Sequence, residues 1–167
     1  SLAFANQKDL QIEFSSTSRD GFAKAHEISA FSLLPLAQGL KPMMKKRGGG
    51  SIISMSFIGS ILAVPHYHVM GPAKASLESS SRYLAKELGP DNIRVNVISS
   101  GAIKTLSSAG IKDFAELMRI GAEHSAMKRT VTQDEVAKTA VFLTSEASSG
   151  ITGQVIYVDC GYSIMAN

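Results

Sequence analysis

At 167 residues the chain is long enough for a single α/β domain with a real core. Its 44% apolar and 19% charged residues exclude wholesale disorder, and a net charge of +3 is too weak to imply a nucleic-acid partner. Cys160 is the only cysteine, which excludes an internal disulfide and suits a reducing compartment; no stretch approaches a membrane span.

Ser1-Leu-Ala-Phe-Ala5 has neither an initiator Met nor a signal peptide's charged region, and reads as the middle of a protein. Thr17-Ser-Arg-Asp20 is expected to cap a helix, with the Thr17 hydroxyl and the Asp20 carboxylate serving its orphan amides. The run to about Lys46 carries Phe22, Ala25, Ile28, Phe31, Leu33, Leu34, Leu36 and Leu40 near helical spacing, and Pro35 should bend or split it. Lys45-Lys46-Arg47 reads as a solvated helix end. Gly48 to Gly50 form a turn, because they precede a strand, whereas a phosphate-cradling loop follows one.

Ser51 to Phe57 is a short strand, and Gly59 with Ser60 begin a loop. A helix from about His68 to Leu88 ends at Gly89-Pro90; Pro72 must lie in its first turn, which puts Tyr67 at the helix mouth. Asn92 to Ile98 is a second strand, rich in β-branched residues. Ser99 to Thr105 is a small-residue loop at that strand's carboxyl end, where α/β sheets place ligands. Leu106 to about Ile120 has the composition of an apolar lid or short helix. Thr132-Gln-Asp-Glu135 is a capping box for a helix to about Ser145, and Gln154 to Val158 is a third strand. The alternation argues a parallel sheet covered on both faces. With three clear strands and no glycine-rich loop at a strand-to-helix junction, residues 1–167 read as one half of a doubly wound nucleotide fold, a single partial domain.

Tyr67 and Lys74 are the candidate chemical pair, although the bare spacing suits an interfacial tyrosine above an exposed lysine better. Seven residues is close to two helical turns, roughly 10 Å along one face. A phenol can donate to a developing oxyanion, while a nearby ammonium can anchor a polar cofactor and favour the ionised phenol. His66 and His68 do not share a helix face and lack a completing Cys or carboxylate, so no metal role is expected. Ser56 and Ser60 read as loop hydrogen-bonders, and Asp159 as the anchor of the final turn.

Across nearly its whole length the chain resembles the enoyl-acyl-carrier-protein reductases, a branch of the short-chain dehydrogenase/reductase superfamily. The resemblance lies in Ser1-Leu-Ala-Phe-Ala5, Tyr67-x6-Lys74 within Val69-Met-Gly-Pro-Ala-Lys-Ala-Ser-Leu-Glu78, Ile93-Arg-Val-Asn96, Lys104-Thr-Leu106 with Gly110-Ile-Lys-Asp-Phe114, and Ile151-Thr-Gly-Gln154 with Val158-Asp159. Six residues separate Tyr67 from Lys74, where the wider superfamily has three. Met70 stands at the wider superfamily's tyrosine position, which argues against a ketoreductase-type relative.

The resemblance implies the carboxyl-terminal half of a Rossmann-like doubly wound parallel sheet with helices on both faces, its amino-terminal half absent. It implies NADH-dependent reduction of a trans-2-enoyl thioester on acyl carrier protein, in fatty-acid elongation, in the bacterial cytoplasm or a plastid. Tyr67 would stabilise the enolate and Lys74 would hold the nicotinamide ribose. Leu2, Ile103, Lys104, Thr105, Leu106 and Ser107 would lie along the cofactor. Ala5, Tyr67, Met70, Phe114 and Leu117 would meet the substrate beneath a lid from Leu106 to Leu117. The apolar faces of the two long helices would form an interface in a homotetramer. Phe57 stands where the family has a second tyrosine, Ala102 where a proline is common and Cys160 where a glycine is usual. The last matters if that position has positive φ. The missing half carries the pyrophosphate loop, so the 167 residues alone are expected to bind NADH poorly and to expose the edge of the first strand. The competing readings are a truncated, non-catalytic copy that binds a partner, and a different short-chain dehydrogenase/reductase.

Overall fold

The computed structural model describes residues 3–104 and 113–166. At its centre β1 (Gly50–Phe57), β2 (Ile93–Ser100) and β3 (Val155–Val158) form a parallel sheet in that spatial order. β2 lies in the middle and is buried at every position except half-buried Arg94, as expected for a β-branched strand covered on both faces. The register aligns Ser56 with Ser99 and Ser99 with Tyr157, so these three side chains share one face.

Among the described residues five α-helices accompany the sheet: α1 (Arg19–His26), α2 (Leu33–Lys46), α3 (Met70–Leu88), α4 (Phe114–His124) and α5 (Gln133–Thr144). α2 and α3 cover one face, where Leu33, Ala37, Leu77, Leu84 and Leu88 pack on Ile52, Ile93 and Val95. α5 covers the other, with Val136 and Leu143 against Ile53, Met55, Ile98 and Ile156. Leu88, Ile93, Ile98 and Leu143 are among the largest fully buried side chains, each worth about 1.5–3 kcal/mol relative to exposure. The two-faced parallel sheet read from the sequence is therefore present.

Two local expectations are corrected. Ser18, not Thr17, caps α1: its Oγ accepts from the Gly21 N–H at 3.0 Å, while the Thr17 hydroxyl donates to the Phe14 carbonyl at 2.7 Å and closes the preceding 3-10 turn. The long amphipathic run does break, but not at Pro35. A π-turn over Glu27–Phe31 interrupts it, and Pro35 falls in the first turn of α2, where its missing N–H would have no helical partner. α3 begins at Met70 rather than His68, and Pro72 lies in its first turn as required. Thr132 and Glu135 form the expected reciprocal capping box of α5.

Candidate active site

The carboxyl ends of β1 and β2 and the mouth of α3 converge on a cavity of about 470 Å³. Lys74 is the only charged side chain among the described residues that line it. Lys74 is 5% exposed, and its Nζ donates to the Met55 carbonyl on β1 at 2.7 Å. Burial pulls its pKa down to about 8, opposed by the negative charge of Glu78 one turn further along α3. At neutral pH this side chain is a buried cation with donors to spare for a ligand.

Tyr67 lies three residues before the start of α3 and is also buried. Its N–H donates to the Val64 carbonyl, and its own carbonyl accepts from Gly71 N–H at 3.1 Å, so a turn fixes its backbone against the helix mouth. The Phe57 ring meets the Tyr67 ring edge-on, with centroids 4.8 Å apart. Gly59 makes this approach possible: a Cβ there would lie 2.5 Å from Tyr67 Cδ1. Burial pushes the phenol well above its usual range. A phenol held up by desolvation is neutral at physiological pH, so Tyr67 can act as a hydrogen-bond donor.

The segment Ala3, Phe4 and Ala5 forms another part of the wall. It is held by Ser29, which the π-turn presents: Ser29 Oγ accepts from the Phe4 N–H at 2.9 Å and faces the Phe4 carbonyl at 3.1 Å. The same hydroxyl lies 3.7 Å from the Met70 sulfur. Ile103 lines the cavity beside Ala102, and Phe114 and Leu117 reach it from α4. Ala5, Phe57, Tyr67, Met70, Lys74, Ile103, Phe114 and Leu117 were all singled out in the sequence, and they share this one cavity. Lys104 does not line it; its carbonyl accepts from Gln133 Nε2 at 2.7 Å. Leu2, Thr105, Leu106 and Ser107 lie outside the described residues.

The family described as Enoyl-(Acyl carrier protein) reductase matches residues 1–163. The chain belongs to this family. It is 55% identical over 164 residues to the NADH-dependent enoyl-[acyl-carrier-protein] reductase FabI of Nostoc sp., covering 98% of this chain and 63% of that protein. The NADPH-dependent counterpart of Staphylococcus aureus is 50% identical over 162 residues, covering 97% of this chain and 62% of that protein. The crystal structure of the Bacillus cereus enoyl-acyl carrier protein reductase with NADP+ and an indole naphthyridinone superposes with a TM-score of 0.95 at 49% identity, covering 99% of this chain and 64% of that one. The chain thus spans somewhat under two thirds of the length of these relatives.

The departures from the family pattern have distinct structural outcomes. Phe57 supplies the ring that packs on Tyr67 and no hydroxyl. Cys160 does occupy the left-handed region at φ 57°, followed by Gly161 at φ 79°, so a glycine there would relieve a real backbone cost. The Asp159 carboxylate accepts from the Gly161 and Ser163 N–H groups at 2.9 and 3.0 Å, anchoring the final turn as expected. Ser56 is a hydrogen-bonder, donating to Glu78 Oε1. Sequence reasoning passed over Ser29, and it quoted Glu78 without giving it a role. Both are small or acidic residues whose burial depends on distant partners.

Proposed function

We propose that the protein carrying this chain reduces the carbon–carbon double bond of trans-2-enoyl thioesters, presented on acyl carrier protein, at the expense of NADH. The observation that carries the reading is one apolar cavity holding a buried ammonium and a buried, neutral phenol. A nicotinamide cofactor would supply hydride to the β-carbon. Lys74 fits such a group: with one donor on the Met55 carbonyl, its remaining donors can take the ribose hydroxyls. As charge develops on the thioester oxygen, the Tyr67 hydroxyl donates to the enolate in a site from which Phe57, Met70, Phe114 and Leu117 exclude water. Ile103 and Ala5 bound the positions of nicotinamide and thioester. The exposed apolar residues Phe31, Leu36 and Met43 around α2 and the exposed ring of Tyr83 on α3 support assembly into a homo-oligomer, a tetramer on the family pattern. Among the described residues no helix is long and apolar enough to cross a membrane, and we place the activity in fatty-acid elongation in the bacterial cytoplasm.

The test is loss of nicotinamide absorbance with a crotonyl thioester, using the gene product that carries this chain. Turnover in the wild type and its loss in Lys74→Ala are expected. Equal rates in the two would overturn the assignment.

A further inference from the structure

On α3 the face turned to the sheet carries Lys74, Glu78 and Ser81, three polar residues at one-turn spacing, all buried. Ser81 has a local partner in the Leu77 carbonyl and meets Ser54 across the interface. Glu78 is different. A carboxylate at 6% exposure is costly, and its hydrogen-bond donor among the described residues is the Ser56 hydroxyl, on the residue that follows Met55 in β1. Met55 is the residue whose carbonyl receives Lys74. Glu78 and Lys74 are therefore moored to consecutive residues of one strand from one helix face.

The charged and titratable groups around this carboxylate are few. Lys74 comes from its own helix, and Tyr157 comes from β3, with Asp159 beyond it acting on Tyr157. β1 and β2 present Ser54, Ser56 and Ser99 on this face, and the buried Ser99 hydroxyl has no partner among the described residues. Glu78 is thus the negative charge that opposes the desolvation of the buried ammonium.

We propose that Glu78, held by Ser56, is a positioning residue that keeps the Lys74 ammonium charged and moored to the Met55 carbonyl at the cavity wall. A negative charge one turn away favours the charged form of a desolvated lysine, and the serine hydrogen bond fixes where that carboxylate lies. The functional meaning of this pairing rests on Lys74 as the cofactor-holding group; the pairing itself does not.

Side-chain carbon-13 NMR of the lysines reads the ammonium directly, with the Lys74 resonance identified by its loss in Lys74→Arg. Glu78→Gln keeps an acceptor for Ser56 but removes the charge, and is expected to lower the Lys74 midpoint by about one pH unit. The alkaline loss of NADH affinity, followed by cofactor fluorescence, should move down by the same step. Glu78→Asp keeps the charge and the wild-type midpoint. Ser56→Ala, a small change that tests the same link should Glu78→Gln fail to fold, shifts the midpoint in the same direction by less. An unmoved midpoint in Ser56→Ala and Glu78→Gln overturns the proposal, as does an equal displacement by Gln and Asp. A midpoint that moves as expected in a protein without NADH binding or thioester reduction would support the Glu78–Lys74 link and overturn the reductase reading alone.

Discussion

Lys74 is kept buried with its pKa drawn down to about 8, whereas a lysine in an unfolded chain titrates near ~10.4. Between those values the unfolded state binds more protons than the folded one, so stability contributed by this site rises with pH across that window. Below about pH 8 the folded protein carries the full cost of a buried charge. Lys74→Met should therefore be more stable than wild type at neutral pH, by about 1–3 kcal/mol in urea melts, with the gap closing towards pH ~10. A variant less stable at neutral pH would show that the Met55 bond outweighs the desolvation. Tyr67→Phe is a different experiment. The ring and its Phe57 contact survive, so stability should change by less than about 0.5 kcal/mol. Turnover should fall on the order of 100-fold, the effect of removing one donor from an oxyanion site. The sequence made Tyr67 and Lys74 legible through flanking motifs. The neutrality of the phenol was not legible, because burial is a sum over distant residues.

At the scale of elements, what could be read was what is local. The α5 capping box has both partners within four residues, and the β-branched runs of β1 and β2 announce themselves. Thr132→Ala should cost about 1 kcal/mol in thermal melts. The π-turn at Glu27–Phe31 left no such mark, since its purpose lies 25 residues away at Phe4. Ser29→Ala should cost about 1–3 kcal/mol, because it leaves the Phe4 N–H without its partner. If the Ala3–Ala5 wall matters, substrate KM should rise in the same variant. Gly59 imposes a steric demand at the Tyr67 ring itself. Gly59→Ala drives a methyl into the Tyr67 ring and should lower turnover far more than it lowers stability; unchanged kinetics would mean that the ring has room to move.

Over the whole molecule, β1 pairs with β2 alone among the described residues, leaving one side of an apolar strand as an open edge. The sheet's parallel character and its helical cover were readable from the alternation of elements. The strand order was not, because nothing local distinguishes which strand lies at the centre. With an open edge and with Leu36, Met43 and Tyr83 exposed, the 167-residue chain on its own should self-associate and take up NADH only weakly. Light scattering and an NADH titration check both; a monodisperse monomer with micromolar affinity would contradict the proposal. Leu36→Glu should reduce the association state of the full gene product while leaving the Lys74 neighbourhood intact.

The hold of Ser29 on Phe4 also has a kinetic meaning. The Phe4 amide is tied by a side chain at the margin of the fold, whereas the Val97 amide is tied to the Gln154 carbonyl inside the sheet. Amide hydrogen exchange should separate the two. Phe4 should exchange through a small local opening, independent of denaturant, and Val97 only through global unfolding. One wall of the cavity would then swing free while the sheet stays folded, opening a way in without the molecule first coming apart.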